Sequence, residues 1–156
     1  MFIGDETRAA VTAAAAGTRL AGLARGGSLA GASYAAWSEG AAGAAPAAGF
    51  SGLVAVHFRG PVRRGAVSVL ILRWEAADAN GRVFPVLDAD ITLVPDGAQA
   101  TVIGLAGVWR ILPGAELDPV TARQAATAAI RSLLGRIATA ITHPAARSGE
   151  TGHAIG

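Results

Sequence analysis

Cysteine and lysine are both absent from the 156-residue sequence. Without cysteine, the chain can form no disulfide, no thiolate nucleophile and no thiolate metal site. Without lysine, it cannot carry the phosphate-binding loop that ends in Gly-Lys-Ser/Thr, and the Gly-x-Ser-x-Gly nucleophile elbow is missing as well. These absences exclude several common classes of enzyme.

Charge is scarce. Only 15% of the residues are charged and the formal net charge is +2, although the isoelectric point is about 10.4. Every cationic side chain other than histidine is arginine, which does not titrate near neutral pH, so a small excess of arginine sets a high isoelectric point. A net charge of +2 gives little support for polyanion binding, and we expect no nucleic-acid partner.

Long hydrophobic runs are missing too. The most apolar stretch, residues 100–112, is interrupted by Arg110, and no run reaches the 18 residues that a membrane span needs. The N-terminal residues lack the basic region of a secretory signal. We therefore expect a cytoplasmic protein with no membrane span.

Histidine is rare, and the three residues, His57, His143 and His153, lie far apart in the sequence. No His-x-x-x-His spacing typical of a zinc site is present. The pair Asp88 and Asp90 lacks the glycine and the distal glutamate of a calcium loop. We expect no metal ion and no cofactor.

What the sequence does contain is apolar residues in periodic patterns: 52% of the chain is hydrophobic, and its length fits one domain. Alternation predicts four β-strands, over residues 52–59, 66–76, 83–95 and 100–112. Turn residues separate them, beginning with Gly60-Pro61 and continuing with the segments 78–81 and 95–97. Strands at this spacing predict an antiparallel meander.

After the fourth strand the apolar period changes from 2 to 3.6. The sequence predicts a helix over residues 119–142, with Asp118 as N-cap, Pro119 at the first helical position and a stop at His143-Pro144. The apolar stripe of this helix needs the sheet as a partner.

Upstream of the meander we predict a brief strand over 8–12, a helix over 13–25 and a strand over 34–38. Residues 40–49 are either a hairpin loop or a linker, and we favour the loop. Residues 1–144 are expected to form a single domain, followed by a flexible tail over 145–156.

The segments LRWEA, FPVLDADITL and VIGLAGVWRIL, followed by the helix from Asp118, resemble the START-like superfamily, also called the helix-grip or SRPBCC superfamily, and in particular its short actinobacterial members. The resemblance covers residues 50–142, whereas residues 1–49 are assigned only by default. It implies an α+β fold in which a curved antiparallel sheet grips the C-terminal helix. It also implies a cavity between them that, in relatives, holds lipids, sterols or polyketides, and some relatives are polyketide aromatases or cyclases.

Side-chain alternation assigns one face of the predicted sheet to the space beneath the helix. The residues expected there are either walls of a cavity for a hydrophobic small molecule or members of a filled core. They are Phe58, Trp74, Leu87, Ile103, Leu105 and Trp109, together with Leu133 and Ile137 from the helix.

The opposite face collects His57, Arg73, Asp88 and Asp90. Ion pairs on a solvated surface are the simpler interpretation. If the two faces are exchanged, these residues instead lie inside the cavity, as acid/base candidates of an aromatase-like or cyclase-like enzyme. The apolar outer side of the second strand suggests a third alternative, a structural or interaction protein that forms a homodimer through the sheet.

Overall fold

A computed structural model describes residues 1–41, 50–110 and 118–144, and within β2 it leaves the side chains at positions 50 and 51 undescribed. In chain order the elements are β1 (Phe2–Ala9), α1 (Ala13–Arg25), α2 (Ser28–Ala36), a π-helical turn (Trp37–Ala41), β2 (Phe50–Arg64), β3 (Val67–Asp78), β4 (Val83–Pro95), β5 (Thr101–Trp109) and α3 (Pro119–Thr142).

The five strands form one antiparallel sheet in the order β1-β5-β4-β3-β2. The N-terminal strand β1 is therefore an edge strand that pairs with the last strand, β5. The amino group of Met1 donates a hydrogen bond to the carbonyl of Trp109 at 2.9 Å. Register shifts mark β-bulges between β2 and β3 and between β3 and β4. Bulges bend and twist strands, in keeping with the curvature of this sheet.

Burial alternates along the central strands and defines two faces. On β3, Leu70, Leu72 and Trp74 are fully buried, whereas Ile71 and Arg73 between them are exposed. We call the buried side, which the helices cover, the inner face and the opposite side the outer face. The predicted α+β helix-grip architecture, a curved antiparallel sheet with a long C-terminal helix, is confirmed.

The long helix α3 begins and ends where the sequence predicts. Asp118 caps it by accepting a hydrogen bond from the backbone N–H of Thr121 at 2.9 Å. Near its C-terminus, the Arg19 side chain of α1 donates to the carbonyl of Ile141 at 2.6 Å. The apolar stripe of α3 packs on the core through eight buried residues, which are Ala122, Ala126, Ala129, Ile130, Leu133, Leu134, Ile137 and Ile141.

The first third of the chain differs from its prediction, although the helix over residues 13–25 is confirmed. The strand predicted over 34–38 is wrong, because these residues complete α2 and enter the π-helical turn. Their alternation is too short to distinguish a strand from a helix whose buried residues are Leu29, Ser33 and Ala36. The brief strand predicted over 8–12 is instead β1, over Phe2–Ala9.

The first hairpin is longer than predicted. Gly60-Pro61 does not end the strand but forms a bulge between Arg59 and Val62, with Gly60 at φ +100°. The chain turns only at Gly65, whose φ of +64° suits a glycine. The loop-or-linker segment lies outside the described residues from position 42 to 49, as do the last two residues of the predicted fourth strand, His153 and the predicted tail.

Candidate tryptophan site on the inner face

All three tryptophans of the chain meet on the inner face, although they come from distant parts of the sequence. Trp37 stacks on Trp109, with ring centroids 5.9 Å apart and planes inclined by 16°. Trp74 meets both rings edge-on, at 6.4 Å and 79° from Trp37 and at 6.2 Å and 74° from Trp109. We call these three residues the tryptophan cluster.

Cross-strand register places two members of the cluster. Trp74 on β3 pairs with Leu87 on β4, and Leu87 pairs with Trp109 on β5, so the three side chains form one row across the sheet. Trp37 reaches this row from the π-helical turn on the helical side. The cluster therefore joins the sheet to the helical layer.

The eight residues predicted to contact a ligand lie on the inner face or on α3. Seven are buried and belong to the same hydrophobic core, and Phe58 is partly buried against it. Trp37 belongs to the same core. A ligand-binding role stays a prediction for the whole set, which is Phe58, Trp74, Leu87, Ile103, Leu105, Trp109, Leu133 and Ile137.

Two buried polar atoms in this core have no hydrogen-bond partner among the described residues: the indole Nε1 of Trp74 and the hydroxyl Oγ of Ser33. Both residues have an exposed fraction of 0%. Thr101, the other buried polar residue of the described chain, donates from its hydroxyl to the carbonyl of Val11 at 2.8 Å. Leaving a buried donor unpaired costs roughly 1–3 kcal/mol, so each of the two atoms needs an explanation.

The backbone of the π-helical turn lies directly on α3, and this contact positions Trp37. A Cβ atom added to Gly40 would lie only 2.2 Å from the backbone nitrogen of Ala129, so no larger residue fits there. On the outside, Glu39 accepts a hydrogen bond from the hydroxyl of Ser132 at 2.6 Å and pairs with Arg136. The Ser132 hydrogen bond, followed by that of Arg136, holds the pKa of Glu39 below its ordinary value.

Sequence reasoning missed Trp37 and Ser33, because Trp37 lay in the strand wrongly predicted over 34–38 and Ser33 lay in no predicted element. A signal was available. Leu29, Ser33, Ala36 and Trp37 recur at helical spacing, and all four are buried.

The four acid/base candidates lie on the outer face, away from the helices. Arg73 donates from Nε to Oδ1 of Asp88 at 2.8 Å, and Arg110 pairs with the other oxygen of the same carboxylate. His57 pairs with Glu75. The remaining candidate, Asp90, is exposed and has no ion-pair partner among the described residues.

The hydrogen bond from Arg73 holds the pKa of Asp88 below its ordinary value, and Arg110 acts in the same direction. Asp88 is therefore ionised at neutral pH and is a poor proton donor. The exchanged-face hypothesis needs Asp88, Asp90 and His57 beside the helices, whereas their side chains lie on the opposite side of the sheet. An acid/base role at this face stays a prediction.

Other surfaces of the described chain are weaker candidates for a functional site. A groove of about 460 Å³ lies between α1 and the β2–β3 hairpin, where Gly17, Pro61 and Ser68 contribute to its walls. None of the predicted site residues lines it. Within residues 1–41, 50–110 and 118–144, no three His, Asp or Glu side chains come together to hold a metal ion. No helix in these same ranges is long and apolar enough to cross a membrane.

No protein-family model matches the sequence, and no match to a curated protein was found. Among solved structures, the chain is similar to norcoclaurine synthase from Thalictrum flavum in complex with dopamine and hydroxybenzaldehyde, with 15% identity, coverage of 94% of this chain and 89% of that one, and a TM-score of 0.42. It is similar to the Zhui aromatase/cyclase from a Streptomyces species, with 14% identity, coverage of 96% and 97%, and a TM-score of 0.34. It is also similar to a START superfamily protein from Mycobacterium smegmatis, with 11% identity, coverage of 87% and 96%, and a TM-score of 0.37. At these identities and TM-scores, the similarities carry no argument about what this chain binds or catalyses.

Proposed function

We propose that this protein binds a planar, apolar small molecule between the inner face of the sheet and α3, at the tryptophan cluster. The observation that carries the proposal is the stacking of Trp37 on Trp109 at 5.9 Å, with Trp74 closing the side. Offset stacking and edge contacts are the arrangements that aromatic rings prefer, so the cluster offers a planar ligand the contacts that it now gives Trp37.

The location of Trp37 supports its exchange with a ligand. It begins a π-helical turn, and such turns occur frequently at functional sites. Trp37 and Trp109 keep 5% and 7% of their surface exposed, whereas Trp74 is fully buried. The stacked pair is therefore the less deeply buried part of the cluster, and the ligand enters there by displacing the Trp37 ring.

The chemistry of the core favours binding over catalysis. Its buried polar residues, among those described, are Ser33 and Thr101, and neither is an acid or a base. Proton transfer needs a titratable group within hydrogen-bond reach of the reacting atom. A binder needs only apolar contact and a few polar groups, which fits this composition.

The test is a titration of the ¹⁵N-labelled protein with naphthalene, a planar bicycle close to indole in size. The chain has three tryptophans, all in the cluster, so the three indole N–H signals report on this site alone. We expect all three signals to shift saturably. Three signals that stay in place up to the solubility limit of naphthalene would contradict the proposal and favour a filled core.

A truncation sharpens the test. Trp37→Ala leaves a space of about the size of an indole ring, at a stability cost of roughly 3–5 kcal/mol. We expect this variant to bind naphthalene about tenfold more tightly than the native protein, and to regain thermal stability when naphthalene is added. Tyr34→Ala is the matched control, because Tyr34 is an exposed aromatic residue one turn earlier on α2.

A further inference from the structure

We infer that the ligand carries a neutral hydrogen-bond acceptor, such as a ketone, aldehyde, ester or ether oxygen, that binds Nε1 of Trp74. The inference rests on the proposed function and adds to it a polar group that the ligand must have. Its basis is the indole N–H of a side chain with no exposed surface, which finds no acceptor among the described residues.

An indole N–H is a donor only, so it can be satisfied only by an acceptor. The rings of Trp37 and Trp109 lie next to Trp74, with centroids at 6.4 and 6.2 Å and planes inclined by 79° and 74°, and an indole ring carries no acceptor oxygen. Interactions between an N–H group and an aromatic face are weak compared with a hydrogen bond to oxygen. An oxygen atom on a ligand that replaces the Trp37 ring would supply the missing acceptor.

The burial of the tryptophan cluster indicates that the acceptor on the ligand is neutral. No arginine is buried among the described residues, and the arginines that form ion pairs do so on the surface. A carboxylate or phosphate at the cluster would have no counter-charge, and an unpaired buried charge is strongly unfavourable. Ser33 lies one helical turn before Trp37, and its buried hydroxyl also has no hydrogen-bond partner among the described residues.

The test compares two ligands of nearly the same shape. 2-Acetylnaphthalene carries a carbonyl oxygen where 2-isopropenylnaphthalene carries a methylene group. Measured by isothermal titration calorimetry on the native protein, the ketone should bind roughly tenfold more tightly than the hydrocarbon. The indole N–H signal of Trp74 should move downfield with the ketone and not with the hydrocarbon.

Substitution of the donor is the second arm. Trp74→Phe removes the N–H and should reduce the preference for the ketone to less than about twofold. Trp109→Phe, the same substitution in a neighbouring ring, should weaken the binding of both ligands alike and keep the preference. The NMR comparison on the native protein decides the question even if Trp74→Phe fails to fold. Equal binding of both ligands, with no downfield shift, would overturn the inference and leave the proposed function standing. Binding of neither ligand would overturn the proposed function and the inference with it.

Discussion

Asp88 is the most connected charged residue of the outer face, because one carboxylate serves both Arg73 and Arg110. Its pKa is held below the ordinary value, chiefly by the hydrogen bond from Arg73. A carboxyl group with a lowered folded-state pKa contributes stability above its unfolded pKa, near 4, and loses that contribution as the pH falls through the folded-state pKa. The side chain is about one-third exposed, so solvent screening keeps the contribution small.

Asp88→Asn should therefore lower the free energy of unfolding by about 0.5–1 kcal/mol at pH 7. The difference from the native protein should shrink below about pH 4 and disappear in stronger acid, where the native carboxyl is protonated as well. Urea denaturation between pH 2.5 and 7 measures this. Asp90, on the same strand, has no ion-pair partner among the described residues, so Asp90→Asn should change the free energy of unfolding little at any pH. A difference that persists unchanged at pH 2.5 would show that Asp88 acts through something other than its charge.

At this scale, the face on which each strand residue lies was predictable, whereas the contacts of Trp37 were not. The period of 2 placed Asp88 on the outer face and Trp74 on the inner face, because a one-residue slip would have moved every apolar side chain of the strand into solvent. The helical spacing of its neighbours marks Trp37 as buried but does not say which residues it contacts. Its neighbours in the sequence are small, and its neighbours in space lie 37 and 72 positions further along the chain.

Among the elements, α3 was predicted with its observed bounds, because it carries the local signals that end a helix: a capping Asp118 that binds the N–H of Thr121, Pro119 at the start and Pro144 beyond the end. The π-helical turn carries no such signal. Its shape depends on the contact between Gly40 and the backbone of Ala129, which no local pattern encodes.

Gly40→Ala should consequently be destabilising, since the new methyl group would lie 2.2 Å from a backbone nitrogen and one of the two elements must move. Overpacking of this kind costs about 1–3 kcal/mol. Gly135→Ala is the matched control, because a methyl group added to Gly135, within α3, would meet no described atom within 4 Å, so alanine should stabilise that helix by about 0.5–1 kcal/mol. Thermal denaturation of the two variants should show shifts of opposite sign. A neutral Gly40→Ala would mean that the turn can separate from α3 at little cost.

For the whole molecule, the layered fold followed from the patterns, whereas the tryptophan site did not. Four amphipathic strands and one amphipathic helix leave few ways to bury their apolar sides other than against each other. The cluster itself needs three elements to close at one point, and the pattern of each element specifies only which face it buries. The predicted ligand residues therefore share a region, whereas the position of the Trp37 ring beside them depends on the packing of distant elements.

The outer face supports one prediction about the oligomeric state. Val62, Ile71 and Val94 expose 56%, 42% and 39% of their surface there. Arg59 on β2 at one side of this face and Glu6 on β1 at the other have no ion-pair partner among the described residues. Two copies related by a two-fold axis parallel to the strands would place β1 of one over β2 of the other, which brings Glu6 of each copy towards Arg59 of its partner.

We therefore expect a dimer in solution at high micromolar concentration, measured by light scattering, whose dissociation constant falls as the salt concentration is lowered. Ile71→Glu should make the protein monomeric, because it would add a second carboxylate to the interface beside Asp90, the cross-strand neighbour of Ile71. Val120→Glu, an equally drastic change at a side chain that is 65% exposed on α3, should leave the dimer intact. A native protein that stays monomeric throughout would rule out this interface, and the exposed apolar side chains of the outer face would then simply be solvated.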